Sequence, residues 1–225
     1  MSLGKITKRT SIGFDFSNTG EGRTEELTAG ARLLRGFVRD ESAKLLQAID
    51  LILVMAPFRH MVTRGGVRMS VAMTNCGKAG WITDRRGYRY DSIDPETGKP
   101  WPAMPEIFSS VATRAAEAGG FSKFEPDACL INRYEPGARM SLHQDRNERD
   151  FGQPIVSVSL GLPAVFLFGG SERSDRPRKV YLESGDVVVW GGTARLAFHG
   201  IAPLADGEHP LTGRARINLT FRRAL

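Results

Sequence analysis

A mainly β fold of the α+β kind, a jelly roll with helices packed outside it, is what this sequence predicts, and three features predict it. From Asp127 onward, short apolar or alternating runs recur near residues 129–134, 155–160, 164–168, 180–182, 186–190 and 214–222, separated by Gly and Pro punctuation. Two helical patterns come before them, at residues 40–57 and 105–119. The 225 residues also form one core's worth of chain, with no linker or change of composition between two halves.

In chain order, residues 1–28 are polar, contain Gly and lack sustained periodicity, so they are expected to form a flexible or peripherally docked arm before a single domain at 29–225. A short strand is expected over residues 31–38. Asp40 then offers an N-cap to a helix carrying Leu45, Leu46, Ile49 and Leu53 at helical spacing and ending near Pro57. After the turn signal Arg64-Gly65-Gly66, residues 67–75 alternate loosely as a strand. Residues 77–105 hold Gly, Pro and aromatics without a clean period. A structureless stretch of that size in a compact domain is usually functional, and a lid over about 63–105 is expected. Pro105 at the first turn and Gly119-Gly120 past the end bracket the second helix. Residues 30–125 thus form an extension ahead of a β core at 126–223.

Charge narrows the class of partner. Lys and Arg number 31 against 25 Asp and Glu, a net +6 that suits a polyanion such as nucleic acid without requiring one. Cys76 and Cys129 are too few for a disulfide framework and have no metal-site spacing, so both are expected to be buried thiols in a reducing, cytoplasmic setting. The first residues lack the apolar core of a signal peptide, and the run from Leu51 to Phe58, with Pro57 inside it, is too short to span a bilayer. A monomer is expected to suffice.

The chemistry centres on Leu142-His143-Gln144-Asp145. A His and an Asp two apart on extended chain point the same way, and His199 supplies a third ligand from just past the apolar run Val187-Val188-Val189-Trp190. Two imidazoles and a carboxylate suit iron(II) with three positions left open, although His-x-Asp alone also occurs in surface loops. The last strand alternates: Arg216, Asn218, Thr220 and Arg222 share one face, Ile217, Leu219 and Phe221 the other. Either the polar face meets water or two guanidiniums turn inward, and in that case they need an anion such as a dicarboxylate.

These residues, together with Met69-Ser70-Val71-Ala72-Met73-Thr74-Asn75-Cys76-Gly77 and Pro126-Asp127-Ala128-Cys129-Leu130-Ile131-Asn132-Arg133-Tyr134, resemble the AlkB family of iron(II)- and 2-oxoglutarate-dependent dioxygenases, its bacterial branch above all. The resemblance runs from about Gly30 to Arg223 and implies a double-stranded β-helix whose open mouth holds the metal. It also implies a reaction: O2 and 2-oxoglutarate are consumed, succinate and CO2 are formed, and N-methyl groups on bases such as 1-methyladenine and 3-methylcytosine leave as formaldehyde.

The same resemblance implies that His143, Asp145 and His199 hold the iron. Arg216 and Arg222 would take the two carboxylates of 2-oxoglutarate, with Asn132, Tyr134 and Asn218 adding hydrogen bonds and Tyr134 sharing the distal carboxylate with Arg216. By residue type alone, Asn132 and Tyr134 are as well explained by decoration of a strand end. The base would be single-stranded DNA, possibly RNA, or flipped out of a duplex, and would lie between Trp81 and His143, near Tyr88 and Tyr90. Trp81 reads equally well as a core or lid-packing residue. Arg173 matches a substrate contact and is followed by Arg176, Arg178 and Lys179, a run that would also suit a solvated hairpin tip. One departure stands out: Asn147 occupies a position where bacterial members carry Asp to meet the exocyclic amino group. Asn accepts through its carbonyl but lacks the charge that favours a cationic base, so neutral lesions should gain relative to charged ones. Competing readings keep the iron but change the substrate to RNA only, a protein or a small molecule, or make the chain a binder of alkylated nucleic acid without turnover.

Overall fold

The computed structural model describes residues 22–225. Its strands are β1 (Thr24–Thr28), β2 (Ala31–Leu34), β3 (Ala72–Gly77), β4 (Gly80–Asp84), β5 (Gly87–Asp91), β6 (Ala128–Tyr134), β7 (Met140–His143), β8 (Ile155–Gly161), β9 (Ala164–Phe168), β10 (Arg178–Leu182), β11 (Val187–Trp190), β12 (His199–Ile201) and β13 (Arg216–Arg222). Two α-helices, α1 (Ser42–Met55) and α2 (Glu106–Ala118), lie between β2 and β6 in the chain.

The strands make a seven-stranded sheet, β1-β2-β11-β8-β13-β6-β3, and a four-stranded sheet, β10-β9-β12-β7, with β4 and β5 as a separate hairpin. From β6 to β13 the chain passes repeatedly between the two larger sheets, as a jelly roll requires. Phe166, Phe168, Val188, Trp190 and Ile201 form the core between the sheets. On the other face of the large sheet, Val156, Val158, Leu219 and Phe221 meet Leu45, Ile49 and Ile52 of α1 and Phe108, Val111 and Ala115 of α2. Strands β8 and β13 are therefore buried on both faces. The predicted alternation of β13 separates a helix-facing apolar row from an inward polar row.

Several expectations need correction. Residues 24–28 are not part of a loose arm: β1 pairs antiparallel with β2 at the edge of the large sheet. Only Leu27 of this strand is buried, so its sequence carries no period for a reader to find. The rest of the expected arm, residues 1–21, lies outside the described residues. Asp40 does not cap α1; a short 3-10 turn, Arg39–Glu41, leads into the helix, where Ser42 Oγ donates to the Val38 carbonyl at 3.0 Å. The expected strand at 67–75 is observed later, as β3. The stretch 77–105 is not structureless, since it contains the β4–β5 hairpin, closed through Asp84↔Gly87 with Gly87 at φ +111°. The aromatic residues of its two strands, Trp81, Tyr88 and Tyr90, share one face and the charged ones, Asp84, Arg89 and Asp91, the other, so no apolar-polar alternation shows. Strands β7 and β12, of four and three residues, were too short to stand out from the sequence.

Pro105 does precede α2, and Gly119 ends it as expected. Cys76 and Cys129 are buried free thiols directly opposite each other on β3 and β6, and burial pushes the Cys129 thiol well up. Among the described residues no helix is long and apolar enough to cross a membrane.

Candidate active site

His143 ends β7 and His199 begins β12. The two strands pair antiparallel with these residues directly opposite, so the imidazoles emerge side by side, ring centroids 4.4 Å apart. Each ring is held through Nδ1 by the carbonyl two residues back, at 2.8 Å from Ser141 for His143 and 2.9 Å from Ala197 for His199. A carbonyl only accepts, so Nδ1 carries the proton and Nε2 is left with its lone pair toward the centre. Asp145 follows β7 and completes the group, its carboxylate oxygens 3.9 Å from His143 Nε2 and 3.8 Å from His199 Nε2. One ligand atom from each of the three residues lies within 4.8 Å of the others, the spacing of a metal site. Gln144, between the two ligands in sequence, turns to donate from Nε2 to the Leu196 carbonyl and so ties the β7 end to the approach of β12.

The electrostatics prepare these groups for a cation. Burial, reinforced by the neighbouring His143, holds His199 down to about 4, so it is neutral at physiological pH. Burial alone would raise Asp145. The Arg222 guanidinium outweighs it and keeps the carboxyl well below its ordinary range. Deprotonated carboxylate and neutral imidazoles are the forms that bind metal.

Beside the ligands, a small chamber of about 50 Å³ is walled by Asn132, Tyr134, Ser157, Arg216, Asn218, Thr220 and Arg222. Strand register explains the gathering: Arg216 faces Tyr134 and Asn218 faces Asn132 across the β13–β6 pair, while Ser159 and Ser157 lie opposite Asn218 and Thr220 on β8. Asn132 donates to Asn218 Oδ1 at 3.1 Å, Asn218 donates to Ser157 Oγ at 2.9 Å, and Thr220 donates to Asn218 Oδ1 at 3.0 Å.

Arg216 is different. Only 1% exposed, it makes one hydrogen bond, from Nη2 to Ser159 Oγ at 2.9 Å, and its Nε and Nη1 find no partner among the described residues. Its guanidinium sits 5.1 Å from the centroid of the Tyr134 ring. Burial lowers its pKa, the mark of a charge without a counter-ion. Arg222, by contrast, is already paired, donating to Asp145 Oδ2 from Nε at 2.9 Å and Nη2 at 2.7 Å.

A larger cleft of about 570 Å³ opens over the ligands. His143, Asp145, Trp81, Tyr88, Asn147 and Arg173 line it, with Arg68 and Arg139. Trp81 and Tyr88 stack at 5.6 Å with their planes 21° apart, and Trp81 Nε1 donates to Asn147 Oδ1 at 3.2 Å. Arg173 donates to the Leu142 carbonyl at 2.9 Å, just before His143. Tyr90, expected near the substrate, is not part of this wall; its buried hydroxyl needs an acceptor and finds Glu148 Oε1 at 2.7 Å. Arg178, in the expected basic run, is partly engaged with the Leu27 carbonyl at 3.2 Å.

Ser157, Ser159, Glu148 and Arg195 also stand at or behind this site. Ser157 and Ser159 were detectable, as two polar residues at period two inside the apolar run of β8. Glu148 and Arg195 gave no local signal.

The family model of the 2OG-Fe(II) oxygenase superfamily matches residues 30–222. The chain belongs to that superfamily. The oxygenase is 58% identical over 200 residues to the alpha-ketoglutarate-dependent dioxygenase AlkB of Escherichia coli, covering 89% of this chain and 93% of that one. It is 32% identical over 161 residues to the tRNA demethylase abh1 of Schizosaccharomyces pombe, covering 65% of this chain and 53% of that one. The solved structure of OsALKBH1 superposes with a TM-score of 0.79 at 31% identity, covering 89% of this chain and all of that one.

The oxygenase is thus a dioxygenase that uses iron(II), 2-oxoglutarate and O2. Its own residues fit both groups: two imidazoles and a carboxylate suit iron(II), and a buried guanidinium with two unpartnered nitrogens suits an anionic cosubstrate.

Proposed function

We propose that this oxygenase removes N-alkyl groups from bases such as 1-methyladenine and 3-methylcytosine in single-stranded DNA, with RNA as a further substrate, and acts as a cytoplasmic monomer. The observation that carries the proposal is the cleft lined by the stacked pair Trp81 and Tyr88 together with His143 and Asp145, with Arg68, Arg139 and Arg173 also in its walls. An aromatic face at that place suits a planar base, at about 1–3 kcal/mol per stacked base, and the arginines suit the phosphates on either side. A base held inside a duplex cannot reach ligands at the floor of a cleft, so a single strand or a flipped nucleotide is required. That a relative is named as a tRNA demethylase supports keeping RNA in view.

In this reading His143, Asp145 and His199 hold the iron. Arg216, with Tyr134 beside it, takes the distal carboxylate of 2-oxoglutarate through Nε and Nη1. Asn132 and Asn218 fix the chamber wall. Arg222, which stays on Asp145 and also lines the chamber, would hold the other carboxylate. When bound, iron and 2-oxoglutarate supply the oxidation of the N-alkyl carbon; the hydroxylated methyl group then leaves as formaldehyde without an acid or base from the protein. The chain's part is to orient the base and to keep water out. Trp81 and Tyr88 set the base plane, and Arg173 braces the β7 end through Leu142.

Asn147 tunes lesion choice. An indole N–H only donates, so its bond to Oδ1 fixes the amide, with the oxygen toward Trp81 and the NH2 on the other side. The carbonyl expected to accept from the base already spends one of its two lone pairs on Trp81 and is turned toward it. Asn147 therefore offers donors, which match a ring carbonyl on a neutral lesion better than the amino group of a cationic one.

A panel of methylated oligonucleotides scored for succinate and formaldehyde tests the proposal, with His143→Ala as control. Turnover by the wild type on methylated bases and none by the variant with iron supplied is expected. Wild-type rates in the variant would refute the ligand assignment, and 2-oxoglutarate turnover indifferent to every methylated strand would refute the substrate.

A further inference from the structure

Behind Asp145 lies a buried cluster that the chemistry above does not use. Arg195 donates from Nη1 to the Asp145 backbone carbonyl at 3.0 Å, from Nε to the Gln153 carbonyl at 2.9 Å and from Nη2 to Glu148 Oε2 at 3.1 Å. Arg222 holds the Asp145 carboxylate, and its Nε also lies 3.4 Å from Glu148 Oε1. That same Oε1 accepts the Tyr90 hydroxyl from the β4–β5 hairpin at 2.7 Å. The Glu148 side chain is 1% exposed. Two guanidiniums and two carboxylates sum to zero formal charge. Without Glu148 the sum is +1, adjacent to where a dication must bind.

Glu148 thus has three partners with separate jobs. Through Arg195 it fixes the backbone at Asp145, through Arg222 it fixes the carboxylate, and through Tyr90 it fixes the hairpin that carries Trp81 and Tyr88. We propose that Glu148 is a positioning residue that balances the charge around Asp145 and couples the metal ligands to the β4–β5 hairpin, so that metal binding and hairpin ordering reinforce each other. This rests on the reading that His143, Asp145 and His199 hold the metal. The coupling is reciprocal, because whatever metal binding does to the hairpin, hairpin order does to metal affinity.

The test needs no turnover. Co(II) is titrated calorimetrically into the metal-free full chain, and amide exchange of residues 80–91 is followed with and without Co(II). Glu148→Gln keeps an acceptor for Tyr90 but removes the charge. It is expected to weaken Co(II) binding by about 10–100-fold, the usual cost of losing a group that orients a ligand, and to lower the melting temperature, since two buried guanidiniums lose a counter-charge. In the wild type Co(II) should slow exchange in the hairpin; in Tyr90→Phe, which cuts only the hairpin's bond to Glu148, that slowing should be lost. A folded Glu148→Gln that binds Co(II) within threefold of the wild type overturns the charge-balancing role, and equal slowing in Tyr90→Phe overturns the coupling. Should Glu148→Gln fail to fold, the Tyr90→Phe comparison decides. A wild type that binds no Co(II) would remove the metal reading itself, and this inference with it.

Discussion

Replacing Asn147 by Asp should move the preference of the enzyme toward cationic lesions by an amount the structure bounds. Asn147 is solvent-exposed on the cleft wall and accepts a hydrogen bond from Trp81 at 3.2 Å. A carboxylate there keeps that bond, since it accepts on either oxygen, and replaces the outward NH2 with a negatively charged acceptor. Two opposite charges about 4 Å apart attract by about 1 kcal/mol in bulk water and about 4 kcal/mol at a protein surface. Exposure puts this site toward the lower end, at about 1–2 kcal/mol, or a shift of about 5–30-fold in the ratio of kcat/KM values for 1-methyladenine over a neutral methylated base. The measurement is a competition between two otherwise identical single-stranded oligonucleotides, one with each lesion, scored by mass spectrometry. A ratio within twofold of the wild type would show that Asn147 does not read the base, and the argument from amide orientation would fall with it.

Other outcomes follow from the same geometry. Arg216→Met removes a buried cation that has one hydrogen bond, so the ligand-free protein should gain about 1–4 kcal/mol and melt a few degrees higher. The variant should also lose the thermal shift given by 2-oxoglutarate, and a drop in the ligand-free Tm would contradict the view that Arg216 waits for an anion. At the base of the hairpin, burial would raise the Asp94 carboxyl, but the paired Arg59 guanidinium outweighs it and holds it below its ordinary value. A carboxyl lowered in the folded state stabilises above its unfolded pKa, about 3.9, and that stability is lost as pH falls through the folded value. Urea unfolding should therefore show Asp94→Asn less stable than wild type at neutral pH, with the gap closing below about pH 4; a gap independent of pH would exclude the pair as its cause. Arg173→Ala should weaken binding of a single-stranded oligonucleotide regardless of sequence and reduce the slope of log K against log salt by about 0.7 for one lost phosphate contact. An unchanged slope would leave Arg173 only its bond to the Leu142 carbonyl.

Much of the site was legible because the chemistry demanded residue types in fixed local order. His143 and Asp145 are two apart, the inward row of β13 repeats every second residue, and a buried row of that kind needs an anion. The hairpin was not legible, because its aromatic face lines a cleft while its other face mixes the buried Gly80 and Ile82 with half-buried Asp84, Arg89 and Asp91, so no apolar alternation shows. Tyr90 was misjudged for a related reason: two tyrosines two apart share a face, yet only their surroundings show that one stacks in the cleft while the other hydrogen-bonds behind it.

The jelly-roll class, the brackets of α2 and the candidate metal donors were readable from short strings, since local propensity and donor chemistry act over a few residues. Packing between distant strands decided that His199 lies directly across from His143, that Arg222 pairs with Asp145 while two nitrogens of the buried Arg216 find no partner among the described residues, and that Glu148 and Arg195 stand behind Asp145. Those are facts of register and burial between strands far apart in the chain. A buried charge gets its partner from whatever the packing brings beside it, and no spacing along the sequence records that choice.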